Sequence, residues 1–220
     1  MSVFSSYLEP NEVRAVIDAI QEVSKHPERD TLLFEVIWQS GGRVSEVISL
    51  VPEHIGSTSI ILPNLKQMKR VAGQKKRVHD DKAIKEVEVS ADLCVRLKAY
   101  CEEHKITKGM WVFPHNRGRA KHVDRFYAYR IITAASEKAQ VFKFGKKNPA
   151  TGGRYKGVAP HIFRHSSAMY LYENTQDMSL VQQQLGHSSI TTTTLYAAAK
   201  RPKIRREIAK LSWGIEKESK

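Results

Sequence analysis

A chain of 220 residues, 41% hydrophobic and 27% charged, is long and apolar enough to bury one ordinary domain core, which excludes a wholly disordered protein. Its formal net charge of +13 points to a polyanionic partner, nucleic acid first, because neutralising phosphates releases their counterions. No apolar run approaches spanning length and the start, MSVFSSYLEPNE, lacks both a basic and an apolar leader region, so no membrane partner and a soluble, cytoplasmic location are expected.

The stretch SSYLEPNEVRAVIDAIQEV predicts a turn into an amphipathic helix with Val13, Ala15, Val16, Ile17 and Ile20 on its apolar face. DTLLFEVIWQS predicts a buried helix halted at Gly41-Gly42, and a second helix starts near Ser45, which leaves Arg43 at the break. Ser59 to Leu62 and Ile84 to Ser90 read as short strands able to pair as a hairpin. In the second, Val87 and Val89 alternate with Glu86 and Glu88, as a half-buried strand requires. The Lys- and Arg-rich run between them, PNLKQMKRVAGQKKRVHDDKA, reads as a flexible basic loop.

ADLCVRLKAYCEEHK predicts a helix, on which Cys94 and Cys101 lie about 10 Å apart along the axis, too far to pair. Packing roles in a reducing compartment follow. MWVFP suggests a third short strand, HVDRFYAYRIITAASEKAQ another helix, and KFGKKNPATGGRYKG a connection within the domain. The remainder is a helical block: APHIFRHSSAMYLYEN, DMSLVQQQLG, a segment around Tyr196, and RPKIRREIAKL with Pro202 in its first turn. The expected fold is mainly α with a small antiparallel sheet, an α+β class.

Several side chains in this pattern suit phosphate chemistry. His161 and Arg164 are three apart at a helix start, so they share a face where free N–H groups favour an anion. Arg43 adds a second guanidinium, whose fork matches phosphate oxygens two at a time. His161 and His165 are four apart, but Ile162 stands where a zinc-protease helix places its glutamate, so no metal is expected. His187 and Tyr196 flank a run of four threonines, and on one straight helix they would lie about 13 Å apart. A turn near Ser188 and Ser189 followed by a short helix would return Tyr196 toward His187. A phenol with a pKa near 10 needs a base and positive surroundings to act as a nucleophile, and His161, Arg43 and Arg164 can supply both.

SGGRVSEVISL, HIFRHSSA and LGHSSITTTTLY, in that order, resemble the signature boxes of the tyrosine recombinases, the phage-integrase family. The resemblance implies the catalytic-domain fold shared with type IB topoisomerases, spanning residues 1–211 and including a C-terminal helix at about 202–211. Residues 212–220 are expected to be a flexible tail, and no amino-terminal core-binding domain is expected. It also implies a site-specific recombinase that cuts and rejoins double-stranded DNA, with Tyr196 forming a 3′-phosphotyrosyl bond and releasing a 5′-hydroxyl, without ATP, metal or other cofactor. By the same resemblance Arg43, Arg164 and His187 stabilise the phosphoryl charge and His161 helps to take the tyrosine's proton. A hairpin lysine protonates the departing oxygen. Lys66 follows the first strand most directly and is the first choice, with Lys69, Lys75 and Lys85 as alternatives.

The family works in homo-tetramers on synapsed DNA, and a monomer is expected without DNA. The 202–211 helix resembles the tail that packs on a neighbouring protomer, or it folds back on its own subunit. The competing assignments are relaxation of supercoils by a type IB topoisomerase and a non-cleaving DNA-binding regulator of the same fold.

Overall fold

The computed structural model describes residues 7–63, 84–115, 118–142, 158–185 and 204–213. Helix α1 (Pro10–Val23) starts with proline at its first position and with the Glu9 amide donating to Glu12 Oε2 at 2.8 Å. It buries Val13, Val16, Ile17, Ala19 and Ile20. Ala15, expected on that face, is exposed, and Ala19 takes its place. Two residues of helix turn Ala15 roughly 200° away from Val13, onto the opposite side.

Helix α2 (Pro27–Ser40) is the central element and is buried from Leu32 through Ser40. It stops at Gly41, whose φ of +58° is left-handed, and the chain restarts in the single turn α3 (Val44–Val47). Strands β1 (Ser59–Pro63) and β2 (Ile84–Glu88) pair antiparallel, with Ile60 opposite Val87 and Ser59 opposite Glu88. Their alternation departs from expectation at Glu88, which is buried. The cause lies far along the chain, where Gln184 and Arg205 cover that end of β2.

Helix α4 (Ala91–Glu103) is capped by Ser90, whose side chain accepts from the Leu93 amide at 3.2 Å. It buries Cys94 and Cys101, and burial pushes both thiols up to about 11. The third strand expected over Met110 to Pro114 is shorter and displaced. Only β3 (Pro114–His115) is extended, and it pairs with β4 (Gly118–His122) in a second hairpin.

Helix α5 (Arg125–Lys138) begins at an Asp124 cap and packs along α1. The fully buried Asp30 ties α5 to the α1–α2 junction, accepting from Tyr127 at 2.7 Å and from Ser24 at 2.5 Å. Helix α6 (Pro160–Thr175) crosses α2, where Phe34 and Phe163 meet at 5.6 Å, and α7 (Met178–Leu185) follows it. The described residues thus form the expected mainly helical fold with small antiparallel pairing, divided between two separate two-stranded sheets rather than gathered in one.

Residues 204–210 are helical and bury Ile204 and Ile208 on the same subunit. The docked segment runs on to Trp213, two residues past the Leu211 at which the sequence predicts the domain to end. Trp213 is buried edge-on against Trp38 and tilted against Tyr170. Its carbonyl accepts from Trp38 Nε1 at 3.1 Å, and the Ser212 carbonyl accepts from the Tyr170 hydroxyl.

Candidate active site

The Gly41-Gly42 break brings three chain segments into contact. A Cβ on Gly41 would lie 2.5 Å from Leu185 Cδ2, and one on Gly42 would lie 2.7 Å from Val47 Cγ2. Glycine therefore lets the end of α2 touch the end of α7 while the chain turns sharply into α3.

Arg43 emerges from this turn held by Glu46. The Glu46 carboxylate accepts from the Arg43 amide at 3.0 Å and from its Nη1 at 2.7 Å. Glu46 is fully buried and also takes Lys85 Nζ at 3.0 Å. Lys85 enters from the start of β2, on the strand face shared by Val87, and donates to the Leu185 carbonyl at 3.2 Å. Arg164 reaches the same carbonyl with Nη2 at 3.2 Å and the Gly41 carbonyl with Nη1. Arg43 and Lys85 thus contact the Glu46 carboxylate, and Arg164 joins them through the Leu185 carbonyl that it shares with Lys85, so three cations gather beside one anion, two positive charges in excess.

The charges perturb one another. Burial, then the nearby Arg43, pushes Arg164 down to about 10, with Glu46 opposing. It remains cationic at neutral pH. Burial also lowers Lys85, against the pull of Glu46 and with the help of the two arginines. For Glu46 burial is the largest influence and acts upward, but Lys85 and the two Arg43 donors together outweigh it and hold the carboxyl below its ordinary range. The Arg43 side chain is 27% exposed, so an anion from solvent can reach this buried positive cluster.

His161 lies in the first turn of α6, one turn before Arg164, and is exposed. His165 is also exposed and meets the Tyr7 ring edge-on at 6.0 Å. The structure therefore brings Arg43 and Arg164 together and sets His161 on the helix that carries Arg164. Lys66, Lys69, Lys75, His187 and Tyr196 lie outside the described residues. Of the four lysines the sequence offers, the described one, Lys85, is in the cluster.

Glu46 is the residue that the sequence did not single out. An acid three residues after Arg43 in a predicted helix start was its available signal. Among the described residues, no group of three or more His, Cys, Asp or Glu side chains is placed to hold a metal ion, and no helix is long and apolar enough to cross a membrane.

A profile of the phage integrase family matches residues 6–202. The tyrosine recombinase XerD of Staphylococcus saprophyticus is 27% identical over 206 residues, covering 90% of this chain and 60% of that protein. The XerD of Lacticaseibacillus casei is 31% identical over 168 residues, covering 76% of this chain and 50% of that protein. The chain thus spans about half to three-fifths of these relatives.

Among solved structures, the XerH recombinase in a pre-cleavage complex with its difH substrate superposes with a TM-score of 0.58 at 21% identity, covering 84% of this chain and 48% of that one. The lambda integrase tetramer on a Holliday junction gives 0.53 at 18% identity, over 87% and 49% of the two chains. At these identities the likeness establishes the fold.

Proposed function

The chain belongs to the phage integrase family, and from that premise we propose that it carries the catalytic domain of a tyrosine site-specific recombinase acting on double-stranded DNA. The observation that carries this reading is the meeting of Arg43, Lys85 and Arg164 around Glu46 and the Leu185 carbonyl. Such a buried cationic cluster suits a phosphodiester, whose negative charge grows as a nucleophile adds to phosphorus.

In the proposed reaction the Tyr196 phenol oxygen forms a bond to phosphorus while the bond from phosphorus to the 5′-oxygen breaks. The phenol proton passes to His161, and Arg43, Arg164 and His187 stabilise the phosphoryl oxygens. Lys85 supplies the proton that the departing 5′-oxygen needs. Its lowered pKa suits a proton donor better than that of an ordinary surface lysine, and Lys66 is the alternative. Rejoining runs the same steps backward. On two synapsed duplexes the working unit is a homo-tetramer, and without DNA the chain is a monomer.

The test is to incubate the protein with a pool of nicked duplexes of random sequence, from which a cleaved end diffuses away. A detergent-resistant protein–DNA adduct is expected with the wild type and not with Tyr196→Phe. No adduct from the wild type would leave a DNA-binding regulator as the reading. Relaxation of supercoils without exchange between paired sites would favour a type IB topoisomerase.

A further inference from the structure

We propose that Gln184 is a positioning residue for the cationic cluster, holding in register the three elements that build it. The inference rests on reading that cluster as the phosphate site. Gln184 is 2% exposed, and every polar atom of its carboxamide is engaged. Nε2 donates to the Glu88 carbonyl at 2.6 Å and to the Gln39 carbonyl at 3.3 Å, while Oε1 accepts from the Glu88 amide at 3.2 Å.

By binding both the N–H and the C=O of Glu88, the carboxamide makes on one edge of β2 the pair of bonds that an antiparallel strand would make. The opposite edge of Glu88 faces Ser59 of β1. Gln39, the second element's contribution, returns from its own side chain to the Ser90 amide at 2.8 Å. One side chain of α7 therefore ties the end of α2 to the end of β2.

Each tied element carries part of the cluster a few residues away. From Gln39 the chain passes to Gly41, whose carbonyl receives Arg164, and then to Arg43. β2 carries Lys85, three residues before Glu88. α7 ends one residue after Gln184 in the Leu185 carbonyl, which receives both Lys85 and Arg164. A leucine or methionine would fill the same space but would leave two carbonyls and an amide without their partner. The need for this buried polar junction is registry among the three elements it ties rather than burial of apolar area.

The experiment compares the wild type with Gln184→Met, which keeps length and loses all three hydrogen bonds. The substrate is the duplex that the wild type captures from the random nicked pool. At saturating DNA, and at temperatures well below the melting midpoint of either protein, Gln184→Met should form covalent adduct about 10- to 100-fold more slowly, the scale on which small misplacements act. DNA affinity should change little beside that loss, so the defect lies in the rate and not in binding. A folded Gln184→Met that reacts at the wild-type rate overturns the proposal, as does a deficit that vanishes on cooling, which a merely structural role would give. If Gln184→Met does not fold, Gln184→Glu, equal in size but without the two donations, carries the same two outcomes.

Should the wild type capture no DNA, the recombinase reading fails separately. The junction is then read by amide hydrogen exchange, where Gln184→Met must accelerate exchange at Glu88 while α4 amides keep their protection. Unchanged exchange at Glu88 overturns it.

Discussion

Lys85 and Arg164 donate to one oxygen, the carbonyl of Leu185, each at 3.2 Å. That carbonyl closes α7, so it lies at the negative end of a helix dipole, where cations are favoured. It joins a strand residue to a residue of α6 almost 80 positions later in the chain. With the Gly41 carbonyl behind Arg164 and the Glu46 carboxylate between Arg43 and Lys85, the three cations are oriented by protein acceptors before any ligand arrives. Orientation in advance is what makes such a cluster effective toward charge that develops only during reaction.

Replacing Gly41 by alanine should be costly. The residue has a φ of +58°, and the added Cβ would lie 2.5 Å from Leu185 Cδ2. Left-handed strain and overpacking together predict a loss of roughly 2–4 kcal/mol, measurable by urea denaturation. The same change pushes on the residue whose carbonyl holds Lys85 and Arg164, so adduct formation should fall even where the variant is folded.

Glu46→Gln should change the pH dependence of stability as well as its size. In the folded protein the Glu46 carboxyl is held below its ordinary range, so its contribution is present above that range and is lost as pH falls through it toward the folded value. The variant lacks this contribution. Its stability should therefore fall less steeply with acid than that of the wild type, in urea titrations across the carboxylate range. At neutral pH it should be less stable by about 3–5 kcal/mol, because Lys85 loses its buried counter-charge.

Arg164→Lys should separate charge from shape. The guanidinium spans two carbonyls, those of Gly41 and Leu185, and an ammonium has no planar fork with which to do so. Under the recombinase reading, the rate of covalent adduct formation should fall about 100-fold, on the scale seen when one transition-state donor is removed. Single-turnover rates at saturating DNA check this. A rate within a few-fold of wild type would show that the fork is dispensable.

Trp213→Ala should loosen the C-terminal segment. Trp213 is 1% exposed between Trp38 and Tyr170, and removing a buried tryptophan typically costs about 3–5 kcal/mol. Limited proteolysis should then cut first after the arginines and lysines of 204–210. Equal resistance in wild type and variant would contradict the docking.

Much of this arrangement was legible in the sequence because its signals are local. The Gly41-Gly42 stop, the proline at the start of α6 and the β1–β2 pairing each depend on a few neighbouring residues. What escaped depends on partners remote in the chain. Glu88 reads as an outward strand position, yet it is buried, with Gln184 and Arg205 reaching it from distant segments. Lys85 shares the parity of Val87 and Val89, an alternation that already placed it inward, yet proximity to the first strand favoured Lys66. The burial of Trp213 follows from a pocket formed by α2 and α6, which no pattern within its own segment reveals.

The Trp38–Trp213 contact has an optical consequence. The chain has three tryptophans, and two of them share one pocket with both indoles shielded from water. Intrinsic fluorescence therefore reports directly on whether the C-terminal segment is seated, since release would carry one indole into solvent and move emission to longer wavelength. An unlabelled, unmodified chain carries its own docking gauge.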